Sequence, residues 1–258
     1  MVLAGGARAQ GDGILTKGVV DFHNHIGKGP DASQTADELV RDMDEFGIKQ
    51  AVVFPINEQS KGNGYRPVHE RIAGEMKRFP GRLTGFVRLC CSRRRESEAE
   101  LARIDEYGFK GIKLHPLSDG FTPRMATFAL EAAEALNVPV IIHTAHDRNC
   151  QPGDWDGPAG QFPGVTFIFA HCGRSRIEEA VEVAKRRPNV MFDTSVNIYF
   201  NVKYAADRLP ASRFLFASDT PYSHRAMDFL KAKLIWSGEE LEAVMSLNAL
   251  KILEGARK

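Results

Sequence analysis

Eight short apolar runs, separated by stretches of helical spacing, constrain this 258-residue chain more than anything else in it. They start near residues 19, 50, 83, 109, 138, 165, 190 and 214. Val138-Pro139-Val140-Ile141-Ile142 and Val165-Thr166-Phe167-Ile168-Phe169 show no polar alternation. Runs apolar on both sides read as strands covered on both faces, the condition of a parallel sheet. Between them, residues 36–46, 68–79, 97–107, 124–136 and 176–187 carry helical patterns, and residues 239–254 form a last helix. Eight strand–helix units predict a single-domain α/β chain closed into a (β/α)8 TIM barrel. A doubly wound open sheet is the alternative, but it would not gather eight strand ends around one site. The expected division is a leader over residues 1–17 and the barrel over residues 18–258.

At 43% hydrophobic residues the chain can bury a full core. Its formal charge of +1 argues against a nucleic-acid surface. No run approaches the roughly 18 apolar residues of a membrane span. The leader lacks a basic start and an apolar centre, so a cytoplasmic protein is expected. Cys90, Cys91, Cys150 and Cys172 include no Cys-x-x-Cys pair and read as reduced thiols. Cys172 follows His171 and is a conceivable nucleophile, with an ordinary buried cysteine the commoner outcome.

The chemistry gathers where the apolar runs stop. Val19-Val20-Asp21-Phe22-His23-Asn24-His25 reads as a strand ending in two imidazoles on one face, with Asp21 in phase below them. Neutral imidazoles side by side suit a divalent metal. His115, His143, His171 and Asp219 close later strands, and in a barrel those ends share one mouth. Within each strand the phase is expected to match: Ile141 with His143, Phe167 and Phe169 with His171, Leu215 and Ala217 with Asp219. Lys113 shares its face with His115. Arg88 ends the third strand, and its fork matches a carboxylate. Asp193 and Asn197 are placed to orient ligands or substrate. His69 reads as a surface residue of the second helix, and His146 and His224 as loop bystanders. The long polar stretch from Thr144 to Pro163 is expected to cover the site.

Asp21-Phe22-His23-Asn24-His25, Phe169-Ala170-His171-Cys172-Gly173 and Ser218-Asp219-Thr220-Pro221 together resemble the amidohydrolase superfamily, in its amidohydrolase-2 branch. That branch includes aminocarboxymuconate-semialdehyde decarboxylase and 2-pyrone-4,6-dicarboxylate lactonase relatives. The resemblance implies an enzyme with His23, His25, His143 and Asp219 as metal ligands and with His171 and Asp219 as catalytic groups. It implies one divalent ion, zinc by default for this donor set and otherwise manganese or iron. Lys113, His115 and Arg88 are then the substrate contacts. Lys113 has two other readings: a carboxylated bridge between two metals, or a partner of an internal acid such as Asp21 or Asp193. The expected activity is hydrolysis of a small carboxylated amide, lactone or ester by metal-activated water. Non-oxidative decarboxylation of a small or aromatic acid uses the same site. A nuclease of the TatD type fits less well, since a glutamate is expected where this chain has Lys113 and His115. The partners expected are a small carboxylate substrate and, by the resemblance, a second copy in a homodimer, with neither nucleic acid nor membrane.

Overall fold

The computed structural model describes residues 18–58 and 64–256; the leader over residues 1–17 lies outside them. Strand β1 (Val19–Lys28) carries a two-residue antiparallel strand, β2 (Ser33–Gln34), at one edge, and pairs in parallel with β3 (Ile48–Pro55). Next come β4 (Leu83–Gly85) and β5 (Val87–Leu89), which are one run broken at Phe86. The ladder continues through β6 (Ile112–Leu114), β7 (Val140–Ile142), β8 (Phe167–Phe169), β9 (Val190–Asp193) and β10 (Phe214–Leu215), all parallel.

Regular pairing leaves two sheets, β2-β1-β3-β4 and β10-β9-β8-β7-β6-β5, and individual backbone bonds join them at both seams. At the first seam the Phe86 N–H reaches Val53 O at 3.0 Å while Val87 N–H turns to Gly111 O at 2.9 Å. Gly111 has to be glycine, because a Cβ there would lie 2.3 Å from the Phe86 ring. At the second seam Phe22 N–H donates to Phe216 O, Asp219 N–H to His23 O and His25 N–H to Thr220 O, at 2.8–2.9 Å. The expected eighth strand, residues 214–219, therefore leaves the β9 ladder after Leu215 and runs against β1 instead. The result is a single (β/α)8 TIM barrel.

The interior is filled by Val20, Phe22, Val52, Phe54, Phe86, Ile141, Ile168, Ala170, Leu215 and Ala217, and closed below by Ala249 and Leu253 of the last helix. A larger apolar layer lies between strands and outer helices. The helix Ala36–Glu45 shows how sequence sets these elements. Thr35 and Glu38 form a capping box, Leu39, Val40 and Met43 face inward, and Gly47 takes φ 67° just past its end. Among the described residues, no helix is long and apolar enough to cross a membrane.

Four expectations change. First, β1 is bulged: three steps from Asp21 to Asn24 face two steps from Ala51 to Val53. The extra residue reverses the phase, so Asp21 does not share the face of His23 and His25. Its carboxylate instead binds Ser218 N (3.0 Å), Ser218 Oγ (2.5 Å) and Arg225 Nε (3.1 Å), and Arg225 also pairs with Asp42. Second, His69 is fully buried, donating from Nδ1 to Glu100 Oε2 (2.7 Å) and accepting at Nε2 from Arg88 N–H (3.0 Å). Third, the stretch from Thr144 to Pro163 holds two helical pieces, Pro152–Trp155 and Asp156–Gln161. It packs against the outer helices with Trp155 buried. Fourth, the helices Tyr199–Ala206 and Arg225–Ile235 add to those expected; the second buries Arg225, Asp228 and Lys231 while Met227, Leu230 and Leu234 stay exposed, the reverse of the usual amphipathic pattern.

Two consequences can be measured. Asp21→Ala leaves the buried Arg225 guanidinium short of a partner and is expected to cost about 3–5 kcal/mol in urea unfolding; a loss below about 1 kcal/mol would mean that backbone bonds alone hold the seam. Burial lowers the His69 pKa below 6.5, so the unfolded chain takes up a proton there that the folded chain refuses. Stability from this group is complete above about pH 6.5 and falls as the pH drops. The urea midpoint should therefore decrease on acidification, and decrease less in His69→Asn; equal decreases would remove His69 as a source.

Candidate metal centre and active site

The bulge in β1 brings His23 and His25 to the barrel interior together. The His23 ring donates from Nδ1 to Asp193 Oδ2 at 2.6 Å, and the His25 ring from Nδ1 to the Pro55 carbonyl at 3.0 Å. Each imidazole is thereby left with its Nε2 lone pair facing the mouth. The two Nε2 atoms are 3.3 Å apart, and each lies 3.1 Å from Asp219 Oδ1. That oxygen is buried yet makes no hydrogen bond. Ligands on a sphere of about 2.1 Å radius stand roughly 3.0–3.4 Å from one another, which matches these edges.

Electrostatics agree. Burial would push the Asp219 carboxyl up, but His23 and His25 hold it well below the usual carboxylate range. Burial and Lys113 press the His23 pKa down, yet Asp219 and Asp193 outweigh them and raise it. A positive charge is thus wanted at His23 Nε2, a proton when no cation is there. His25 stays neutral, its pKa lowered to about 4 chiefly by burial.

A second group, His23, His171 and Asp193, also has its ligand atoms within 4.8 Å. Its donors are already used. Asp193 accepts His23 Nδ1–H, His171 N–H (3.1 Å) and both polar hydrogens of Ser195, and His171 Nδ1 sits 2.8 Å from Ser195 Oγ. The trio His23, His25 and Asp219 is the better cation site.

The remaining expected residues line one cavity of about 320 Å³ at the mouth. His143 is outside the close trio. Its Nδ1 faces His171 Nε2 at 3.2 Å, and its ring stacks on His115 with centroids 3.9 Å apart. His115 also accepts the Ser118 N–H at the start of the turn Pro116–Asp119. Lys113 Nζ lies 3.3 Å from His23 Nε2 and 4.5 Å above the Phe54 ring. Burial lowers its pKa to about 8. The lysine does not reach Asp21, whose carboxylate is taken up by Ser218 and Arg225. Arg88 lines the wall, but its fork already holds Asp119 through Nε (3.1 Å) and Nη2 (3.3 Å). His146 and His224 are exposed. No residue of the stretch from Thr144 to Pro163 lines the cavity, so that stretch is not its cover.

His171 arrives by a route that strand phase did not foresee. Phe167 and Phe169 face the outer layer, while Ile168 and Ala170 face the interior. Simple alternation would turn His171 outward. The chain instead takes four positive φ values in a row, 60°, 48°, 78° and 50° at His171, Cys172, Gly173 and Arg174, and this left-handed turn swings the imidazole inward. The Cys172 thiol donates to Asp193 O at 3.1 Å, and burial pushes its pKa up, so it is no nucleophile. Arg174, Val196 and Tyr222 line the cavity as well and were missed. The Tyr222 ring stands edge-on to His25 at 5.4 Å. Asp-x-Ser at 193–195 is a local turn pattern that would have flagged Ser195. A second groove of about 340 Å³ opens at the other end of the barrel beside the last helix, lined by neither histidine nor carboxylate.

Comparison with known proteins fits this geometry. No functionally curated protein matches the chain. Among solved structures, an uncharacterized TIM-barrel protein of Bordetella bronchiseptica is 19% identical, with 93% of this chain and 99% of that one covered at a TM-score of 0.76. A 2,6-dihydroxybenzoate decarboxylase from Rhizobium is 17% identical over 92% and 98% of the two chains, TM-score 0.73. A dihydroxybenzoic acid decarboxylase from Polaromonas sp. JS666, with bound manganese and the inhibitor 2-nitroresorcinol, is 18% identical over 92% and 97%, TM-score 0.71. These likenesses establish the fold. The family model described as Amidohydrolase matches residues 20–255, nearly the whole described chain. The protein therefore belongs to the amidohydrolase family of metal-dependent enzymes, in its amidohydrolase-2 branch.

Proposed function

We propose that this chain hydrolyses a small carboxylated lactone, ester or amide, with one divalent ion held by His23, His25 and Asp219 and with His143 as the fourth ligand. The observation that carries the reading is the Asp219 carboxylate. One oxygen is buried without a hydrogen bond, 3.1 Å from the Nε2 atoms of both His23 and His25, and the other lies 3.9 Å from His171 Nε2. A divalent ion bound there supplies Lewis acidity and brings the pKa of a coordinated water towards neutrality. Zinc is the default for these donors.

The chain's own groups do the rest. Asp219 Oδ2 accepts the proton of the attacking water and later returns it to the leaving group. His171, across from it, is the second group able to move a proton. The Lys113 ammonium, buried and held over Phe54, meets the substrate carboxylate. Arg88 shapes the wall through Asp119 and leaves that contact to Lys113. His115, stacked on His143, fixes the plane of that ring.

Non-oxidative decarboxylation is the second reading. It is favoured by the two decarboxylases that match over more than nine-tenths of both chains. The same proton-carrying pair would then serve the carbon that loses CO₂. A panel of lactones, esters, amides and hydroxybenzoic acids, followed for acid release and for CO₂, separates the readings. Metal-dependent acid release supports hydrolysis; CO₂ release with every ester, lactone and amide untouched replaces it.

Metal analysis of the purified protein is expected to give about one divalent ion per chain, as a single site of His23, His25, Asp219 and His143 requires. His25→Ala and Asp219→Ala should each lose most of it, and full occupancy in both would end the assignment. His171→Asn should keep the metal while turnover drops by about 10²–10⁴. Unchanged turnover would remove His171 from the chemistry, and loss of metal would make it a ligand.

A further inference from the structure

Ser195 is fully buried two residues past the end of β9, between Asp193 and His171. Its Oγ lies 2.5 Å from Asp193 Oδ1 and 2.8 Å from His171 Nδ1. The hydroxyl has one proton, and the short contact to the carboxylate has to contain it, because two bare oxygens at that distance repel. Asp193 does not provide that proton. Its two oxygens already receive His23 Nδ1–H, His171 N–H and Ser195 N–H, an arrangement that stabilises the charged carboxylate. With its own proton given to Asp193, Ser195 Oγ can meet His171 Nδ1 only as an acceptor. The His171 ring therefore carries its hydrogen on Nδ1, and its Nε2 is bare. That bare nitrogen faces His143 Nδ1 at 3.2 Å and Asp219 Oδ2 at 3.9 Å, inside the mouth.

We infer that Ser195 is a positioning residue that locks His171 in its Nδ1–H tautomer, so that Nε2 enters the cavity as a proton acceptor and not as a hydrogen-bond donor. The inference rests on the proposed part of His171 in proton transfer and narrows it: His171 acts first as a base, and a donor to a developing oxyanion has to come from elsewhere. The chain of contacts makes the assignment directional. Asp193 orients the hydroxyl, the hydroxyl orients the ring, and the ring in turn takes a hydrogen from His143 Nδ1, which leaves His143 Nε2 as its free nitrogen.

Long-range ¹H–¹⁵N spectra of the full-length protein, labelled at histidine nitrogen and measured metal-free and zinc-loaded, read the tautomer directly. The His171 signals are identified by their loss in His171→Asn. The wild type should show the Nδ1–H form, Ser195→Ala should shift towards Nε2–H, and Ser195→Thr, which keeps the hydroxyl, should restore the wild-type pattern. In turnover, Ser195→Ala should lower kcat by about 10–100-fold with KM nearly unchanged, and should cost nothing further when added to His171→Asn. An Nε2–H tautomer in the wild type, or one unchanged in Ser195→Ala, overturns the inference even if Ser195→Ala is less stable. Should His171→Asn leave turnover intact, the proposed part of His171 in proton transfer fails while the spectra still judge the tautomer.

Discussion

A buried carboxylate that receives four hydrogen bonds stands behind the whole mouth. Asp193 holds the His23 ring, the backbone of His171 and both polar hydrogens of Ser195. An unpaired charge at such depth would cost several kcal/mol, so the four donors are the condition on which the group stays ionised. Three elements meet there, the middle of β1, the turn after β8 and the turn after β9. None can shift without uncovering the charge. The same contacts decide which nitrogen each imidazole offers to the cavity, so one acid sets both the candidate cation site and the group beside it.

The backbone is bent where those side chains are needed. Among the described residues, seven non-glycine ones take positive φ, and five of them, His171, Cys172, Arg174, Val196 and Asp219, belong to the mouth or its turns. The other two are Asn137 and Asn149, a residue type that tolerates this region. Left-handed backbone costs about 1–2 kcal/mol per ordinary residue, so the concentration is not free. Side-chain amides offset part of it: Asn197 Nδ2 donates to His171 O at 2.8 Å, and Asn201 Nδ2 to Arg174 O at 3.3 Å. Rigidity at the site and strain at the site are here one fact.

Sequence periodicity carried the architecture because parallel strands buried on both faces are continuous apolar runs that need no fine register. It also brought His23, His25, His115, His143, His171 and Asp219 to one mouth, since strand ends in a barrel converge whatever their phase. Phase itself was the weak step. A bulge in β1 moved Asp21 away from His23, and a left-handed turn moved His171 inward against its own strand. Neither leaves a mark in composition, since both are set by backbone bonds to distant strands. Arg88 looked free because its partner, Asp119, lies beyond the next strand. His69 looked exposed because Glu100, which accepts from it, sits on a different helix. Long-range pairing of polar groups is what a single sequence hides.

Barrel closure also orders events in time. His23 and His25 lie on the first strand, and Asp219 just past the last, about 200 residues later. At ordinary rates of synthesis roughly 10–40 s separate their emergence from the ribosome. Through that interval the two imidazoles exist without the carboxylate, and the backbone bonds that bring it to 3.1 Å, from Asp219 to His23 and from His25 to Thr220, cannot form. A nascent chain thus offers a metal ion two imidazoles and no carboxylate. On the proposed metal assignment, loading belongs to the finished barrel, and an ion that arrives early finds only half a site.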